Sequence, residues 1–181
     1  ERLIEPVGEA RNDYRIMAEL ARGSEDALRE LLRRYEGPLA GYLRRQTRDR
    51  DAEDLFQEVW LRVVRSAGSF DRSARFKPWV YRIAFNVFRD WAVRSGAHEQ
   101  GIETDAAAEP RAREGAALDA ERLLAAIPRE QRDVVALRYW LDLSEAEMSE
   151  VLGIPRGTVK SRLHAAMARL AALARKDEER S

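Results

Sequence analysis

The sequence predicts an all-α protein of two small helical domains joined by a flexible linker. Apolar residues recur at three- and four-residue spacing over most of the chain, which is the period of a helix with one buried face. No strand-like alternation of useful length occurs. The stretch 95–117 breaks the pattern, because it is rich in Gly, Ala and acids and has no apolar stripe. The predicted division is an N-terminal extension (1–13), a helical domain (14–95), a linker (96–117), a second helical domain (118–176) and a tail (177–181).

The first domain is predicted to contain five helices. The first ends near Gly23, and Ser24 caps the second. Pro38 opens the third, since proline suits the first helical position, and Asp51 caps the fourth. After a Gly/Ser break the fifth helix begins at Phe76 and carries apolar residues as far as position 91.

The second domain contains the most distinctive segment, a helix, a tight turn and a second helix. Pro128 begins the helix that precedes it. Ser144 and Glu147 have the spacing of a capping box at the start of the next helix. Gly153 suits a left-handed C-terminal position, and Pro155 turns the chain into a new helix. In a helix-turn-helix protein this second helix lies in the DNA major groove.

The faces of that last helix follow from placing 100° per residue around its axis. The predicted buried stripe is Val159, Leu163, Ala166, Met167, Leu170 and Leu173. The predicted outward residues are Gly157, Ser161, His164, Ala165 and Ala168.

Charge is segregated along a chain whose net charge is zero, with 32 basic and 32 acidic residues. Residues 151–176 contain six bases and no acid, and residues 62–94 contain eight bases and two acids. Residues 49–58 reverse the balance, with five acids and one base. The blocks indicate two basic surfaces for phosphates and one acidic surface for another partner. Ordinary solvated helix faces would give a similar pattern.

Several function classes are excluded by composition. The absence of cysteine excludes disulfides, thiolate zinc sites and cysteine catalysis. No segment has the apolar length of a membrane span, and no phosphate-binding glycine loop, nucleophile–base arrangement or metal-ligand spacing occurs. We therefore expect a cytoplasmic protein that is not an enzyme, with no cofactor, no small-molecule substrate and no membrane insertion.

Three segments in order carry a family resemblance: DAEDLFQEVW (51–60), WVYRIAFN (79–86) and GIPRGTVKSRL (153–163). With these segments the chain resembles the extracytoplasmic-function (ECF, group 4) sigma factors of the bacterial sigma-70 family. The resemblance implies a sigma-2-like domain at 14–95 and a sigma-4-like domain at 118–176. It also implies that the chain directs core RNA polymerase to specific promoters and helps to melt promoter DNA.

The resemblance assigns roles residue by residue. It implies docking on the clamp coiled coil of the polymerase largest subunit by Asp54, Gln57, Glu58 and Leu61, and a further contact with the flap. The alternative is that the acids are merely solvated beside a core stripe.

The segment from Phe70 matches the part that captures the near (−10) promoter element. The candidates for a pocket that holds unstacked bases are Phe70, Asp71, Arg72, Phe76, Tyr81 and Asn86. The candidates for phosphate contacts are Lys77, Arg82 and Arg89. Phe85 is expected to point outward beside Asn86 as a further base contact.

In the second domain the resemblance implies reading of the far (−35) promoter element. It implies that Lys160, Ser161 and His164 contact the bases. It also implies that Arg156, Thr158 and Arg162 contact the phosphates and position the helix. Family members often have a basic residue at the position of Ala165, so the expected promoter sequence is left open.

The resemblance also implies an anti-sigma factor as a partner, and a linker that mimics RNA charge. The linker acids equally fit an ordinary soluble tether. Two other functions remain open: a stand-alone helix-turn-helix transcription regulator and a helical adaptor that binds only proteins. The acidic block at 51–58 and the aromatic loop at 70–76 argue against the first, and the acid-free segment 151–176 argues against the second.

Overall fold

The computed structural model describes residues 6–47, 49, 51–71, 73–96 and 122–178. Within these ranges the secondary structure is helical and contains no strand, which confirms the predicted fold class. The helices are α1 (Pro6–Ala21), α2 (Glu25–Thr47), α3 (Ala52–Ser66), α4 (Phe76–Arg94), α5 (Arg129–Tyr139), α6 (Glu145–Leu152) and α7 (Arg156–Glu178). A 3₁₀ turn, Ala67–Ser69, follows α3, and residues 122–125 form a further helical turn.

The chain divides into two compact units. The first holds the described residues up to Ala92 together with Glu150–Gly153, and the second holds the others. The predicted linker lies almost wholly outside the described residues, as do the start of the predicted extension and the end of the predicted tail. Residues 6–13 of that extension belong to α1.

The boundary between α1 and α2 agrees with the sequence prediction. Gly23 has a φ of 87°, a left-handed conformation that glycine adopts without steric cost. The Ala27 N–H donates to Ser24 Oγ over 3.3 Å, so Ser24 caps α2.

Pro38 does not open a new helix, contrary to the prediction. It lies inside a continuous α2, although proline cannot donate the backbone hydrogen bond expected there. Leu31, Leu39 and Leu43 are all fully buried on the two sides of Pro38. Their shared packing face keeps the helix axis continuous and outweighs the local preference of proline.

Asp51 occupies the N-cap position of α3 but does not cap it through its side chain, contrary to the prediction. Its backbone is left-handed, with φ 54° and ψ 11°, and its carboxylate makes no capping hydrogen bond. Asp51 Oδ2 instead accepts a hydrogen bond from Trp91 Nε1 over 2.9 Å. This contact joins the start of α3 to the last turns of α4.

Helix α4 is buried around most of its circumference. Val80, Ala84 and Val87 are buried at helical spacing, and Tyr81 and Phe85 are buried as well. Phe85 is only 4% exposed, so the prediction that it points outward is wrong. A single apolar stripe underestimates the burial of a helix that runs through the interior of its unit.

The core of the second unit joins α5 to α7. Buried Ile127, Val135 and Ala166 form its centre, and partly buried Leu163 and Leu170 pack against them. Met167, predicted in this stripe, is instead 43% exposed. It lies at the edge of the stripe.

The start of α5 differs by one residue from the prediction. Pro128 is the N-cap of α5, so the helix begins one residue later, and it ends at Tyr139.

Candidate nucleic-acid and protein interfaces

One face of α3 gathers the residues assigned to polymerase docking. Asp54, Gln57 and Leu61 are exposed and Glu58 is half-buried, at spacings that place all four on one side of a helix. Leu61 is 49% exposed beside the packed core. The structure therefore combines acids and an apolar side chain on this face.

Val64 extends this face. It is 43% exposed and lies one turn from Leu61. Leu55, Val59 and Val63 on the opposite side are buried. The acidic block and the core stripe are therefore two faces of the same helix.

Arg62 links this face to α4. Its Nε lies 2.7 Å from Glu58 Oε1, and its Nη1 lies 3.3 Å from Asp90 Oδ2. The hydrogen bond with Glu58, followed by that with Asp90, raises the pKa of Arg62 above its ordinary value. The pair of Glu58 and Arg62 could be predicted from sequence, because the two residues are four positions apart on one helix. The pair of Arg62 and Asp90 could not, because Asp90 lies on another helix.

The rings assigned to the near-element pocket are packed inside the first unit. Phe70, Phe76 and Tyr81 are buried. The Phe76 centroid lies 5.0 Å from that of Tyr35, and the Phe70 centroid lies 5.1 Å from that of half-buried Trp79. The expectation that Phe70, Phe76 and Tyr81 present free faces for stacking bases is therefore wrong for this structure. They support the loop from beneath.

The polar candidates of the same segment are accessible. Arg82, Asn86 and Arg89 are exposed at positions that share one face of α4, and Lys77 is half-buried near its start. The Arg89 guanidinium carbon lies 5.7 Å from the centroid of the Phe85 ring, within the range of a cation–π contact. Phe85 thus supports an exposed cation rather than a base. Arg72 lies outside the described residues.

Asp71 organises the turn before α4. Its Oδ1 accepts hydrogen bonds from Ser73 N–H over 2.6 Å and from Ser73 Oγ over 2.5 Å. These bonds, the one from the hydroxyl first, lower the pKa of Asp71. The exposed Asp71 carboxylate is therefore charged and holds a local turn.

Asp13 of α1 holds the other end of this loop, and no sequence signal identified it. Its carboxylate is 5% exposed and accepts the Phe76 backbone N–H over 3.0 Å. Arg34 Nη1 lies 3.8 Å from its other oxygen. A negative charge at the first turn of α4 satisfies an otherwise unpaired N–H and suits the helix dipole.

The helix-turn-helix segment has the predicted local geometry. Glu147 Oε2 accepts the Ser144 N–H over 2.8 Å, and the Glu147 N–H donates to Ser144 Oγ over 3.3 Å. Gly153 has a φ of 65°. Ser149 Oγ donates to the Ile154 carbonyl over 2.6 Å and fixes the turn further. The capping box and the left-handed glycine are confirmed.

Most far-element candidates are exposed on the outer side of α7. Arg156, Lys160, Ser161 and His164 are exposed, and Thr158 is half-buried. The predicted outward residues Gly157 and Ala168 are also exposed, whereas Ala165 is half-buried. Lys160 and His164 lie one turn apart on the exposed side of α7.

Arg162 differs from the other basic candidates on α7 because it forms an ion pair within the described part of the protein. Its Nη2 lies 2.8 Å from Glu130 Oε2 on α5. No spacing along α7 indicates Glu130 as a partner, since it lies on another helix.

Neither a metal site nor a membrane span is present in the described parts of the chain. No group of three or more His, Asp or Glu side chains there could hold a metal ion. No helix among those residues is long and apolar enough to cross a membrane.

Family models of known proteins match stretches of both units. The family model "Sigma-70 region 2" matches residues 31–97, and "Sigma-70, region 4" matches residues 117–170. ECF RNA polymerase sigma factor SigM of Mycobacterium tuberculosis (strain ATCC 25618 / H37Rv) is 34% identical over 166 residues, which cover 90% of this chain and 85% of SigM. The ECF RNA polymerase sigma-E factor of Escherichia coli (strain K12) is 25% identical over 174 residues, which cover 87% of this chain and 91% of that protein.

Solved structures show the same fold. CnrH, in complex with the cytosolic domain of CnrY, has a TM-score of 0.71 at 26% identity, covering 91% of this chain and 98% of CnrH. The sigma factor RpoE of Bartonella quintana, in complex with the anti-sigma factor NepR, has a TM-score of 0.67 at 22% identity, covering 82% of this chain and 96% of RpoE.

The two matched regions contain the acidic face of α3, the loop before α4 and the helix-turn-helix. Together with the identity to SigM over most of both chains, they show that this chain belongs to the family of ECF RNA polymerase sigma factors.

Proposed function

We propose that this sigma factor binds core RNA polymerase in the cytoplasm, directs it to promoters with two separated elements, and helps to open the near one. Its role is recognition rather than catalysis. In this proposal the first unit docks on the polymerase and contacts the near element, and the second unit reads the far element.

The observation that carries the proposal is the exposed outer side of α7. Lys160, Ser161 and His164 are exposed there, on a segment without acids from 151 to 176. Lysine offers donors to guanine acceptors, serine tolerates several bases, and the surrounding cations favour the phosphate backbone. A helix with this outer side is suited to the major groove.

The exposed face of α3 supports polymerase docking. Asp54 and Gln57 surround Leu61 with polar groups, and the apolar area continues to Val64. Such a combination fits a helix that offers basic and apolar side chains, as the clamp coiled coil of the largest subunit would. A contact of the second unit with the flap completes the proposed docking.

The near element would meet the charged side of α4 and its preceding turn. Arg82, Asn86 and Arg89 are exposed and available to phosphates and base edges. The rings beneath the loop keep its shape. Because these rings are buried, the proposed base contacts in this unit are polar groups and include no stacking ring.

Run-off transcription with core polymerase tests the proposal. Asp54→Ala should weaken core binding by roughly 5- to 30-fold, the effect of losing a 1–2 kcal/mol interface contact. Lys160→Ala should weaken far-element binding by a factor that corresponds to roughly 1–3 kcal/mol. Each variant should leave the other activity unchanged.

Matched controls lie on the same chain. Asp26→Asn removes an exposed acid of α2, and Lys176→Ala removes an exposed cation near the far end of α7. Both should retain normal run-off. A chain that binds DNA well alone and never supports initiation would be a stand-alone regulator, and the proposal would be wrong.

An anti-sigma factor is the second proposed partner. RpoE was solved with an anti-sigma factor, and the apolar part of the α3 face, Leu61 and Val64, is a surface that such a partner could cover. An anti-sigma factor added to the holoenzyme assay should abolish run-off and protect α3 amides from exchange. Continued run-off at saturating partner would exclude it as the regulator.

A further inference from the structure

The first turn of α5 holds two arginines of α7. Arg162 Nη2 lies 2.8 Å from Glu130 Oε2, and Arg169 Nη1 donates to Gln131 Oε1 over 3.4 Å. Both contacts join a helix outside the helix-turn-helix to the proposed recognition helix. They therefore affect the cations that α7 can offer to DNA.

The ion pair sets Arg162 apart from its neighbours. The Arg162 side chain is 28% exposed and that of Glu130 is 69% exposed. Arg156 and Lys160 on the same helix are exposed and form no ion pair within the described part of the chain. One cation of the α7 surface is thus neutralised in the free protein, while two others are available.

A DNA phosphate and the Glu130 carboxylate would compete for the same group. Arginine binds carboxylates and phosphates in the same planar geometry. An ion pair this exposed contributes little stability and exchanges readily. Arg162 follows Ser161 directly on the helix proposed to lie in the major groove, so its guanidinium can turn from α5 to the backbone of the duplex.

We propose that Glu130 is an intramolecular competitor for the phosphate contact of Arg162, and that it weakens DNA binding by the second unit. The inference rests on the proposed function only in taking α7 as the DNA-binding helix. Its consequence is a sigma factor whose affinity for DNA outside the polymerase is kept low by one carboxylate. The DNA that would be bound is any duplex, since phosphate contacts carry no sequence information.

The test is a double-mutant cycle on the full chain with a fluorescent duplex of mixed sequence. Glu130→Gln should raise affinity by roughly 3- to 10-fold at low salt and steepen the plot of log K against log salt concentration by about 0.9, the value for one added phosphate contact. In an Arg162→Gln background the same substitution should change neither quantity. The cycle isolates the pairwise effect because both side chains are solvent-accessible and neither supports the core.

Glu145→Gln is the matched control. It removes the same charge from the same unit, and Glu145 forms no ion pair within the residues that the structure describes. It should change affinity by less than twofold. An equal gain from Glu130→Gln with and without Arg162 would show general charge removal and overturn the inference, as would no gain at all. A loss of affinity would mean that Glu130 holds Arg162 in its binding position, which also contradicts it.

The outcome is separable from the proposed function. If the wild type supports run-off and Glu130→Gln binds duplex no more tightly, only the competition fails. If the wild type supports no initiation with core polymerase, the proposed function fails whatever the cycle shows.

Discussion

Replacing Asp13 with Ala should destabilise the first unit more than any other single change of an acid on α1. The Asp13 carboxylate is buried and accepts the Phe76 N–H over 3.0 Å at the first turn of α4. Its removal leaves a buried backbone donor without this acceptor, which costs about 1–3 kcal/mol. Loss of the negative charge at a helix N-terminus adds about 0.5–1 kcal/mol.

The two contributions add to an expected decrease of about 1.5–4 kcal/mol in the free energy of unfolding. For a unit of this size each 1 kcal/mol corresponds to roughly 4–8 °C in Tm, so we expect the Tm to fall by about 6–32 °C. Urea unfolding followed by circular dichroism gives the free energy. Amide hydrogen exchange at Phe76 tests the cause, because that N–H should lose its protection first.

Two further variants make the prediction specific. Asp13→Asn keeps an acceptor oxygen for Phe76 and should lose roughly half as much stability. Arg15→Ala on the same helix removes an exposed ion pair with Glu19 and an exposed hydrogen bond to Asn12, and it should cost less than about 1 kcal/mol. An Asp13→Ala protein as stable as the wild type, with Phe76 still protected, would refute the assigned role of this carboxylate.

Three other predictions concern the local geometry of the two interfaces. Ser144→Ala should lower the stability of the second unit by about 0.5–2 kcal/mol in urea unfolding, since it breaks the capping box with Glu147; an unchanged midpoint would contradict this. Ser73→Ala should raise the pKa of Asp71 toward its ordinary value in an NMR titration, because the Ser73 hydroxyl is the main cause of the lowered pKa. The Asp71 carboxylate stabilises its turn fully above the pKa that this group has in the unfolded chain, and this stabilisation is lost as the pH falls through the lower pKa of the folded protein. Amide exchange in the turn should therefore increase over that pH range. A pKa of Asp71 that Ser73→Ala leaves unchanged would contradict the role of the hydroxyl. Gly153→Ala should cost about 1 kcal/mol despite open space around the position, because its φ of 65° strains any residue with a Cβ.

Local sequence signals correctly predicted the helix boundaries at Ser24 and Gly153. Ser24 and Gly153 act on backbone groups within a few residues, so their geometry follows from the sequence alone. Pro38 shows the limit of this reasoning. Its local preference for a helix start is outweighed by buried leucines on both sides, and that packing is not visible in a window of neighbouring residues.

The exposure of a candidate side chain could be predicted from the sequence when it follows from the period of a single helix. It could not be predicted when it depends on how several helices pack together. The outward positions of Ser161 and His164 follow from the stripe of α7. Phe85 was assigned to the surface because a stripe model allows only one buried face, whereas α4 is buried on more than one. Asp13 and Glu130 act on residues of distant helices, and no spacing rule connects such pairs.

Mapping transcript 5′ ends measures directly whether this sigma factor selects promoters. Core polymerase, genomic DNA of the source organism and this chain are combined, and the starts are compared with those of core polymerase alone. We expect new, discrete starts that depend on the chain, share two sequence elements upstream, and are lost with Asp54→Ala or Lys160→Ala. Starts that are unchanged by the chain, although it binds the polymerase or the DNA, would contradict the proposed function.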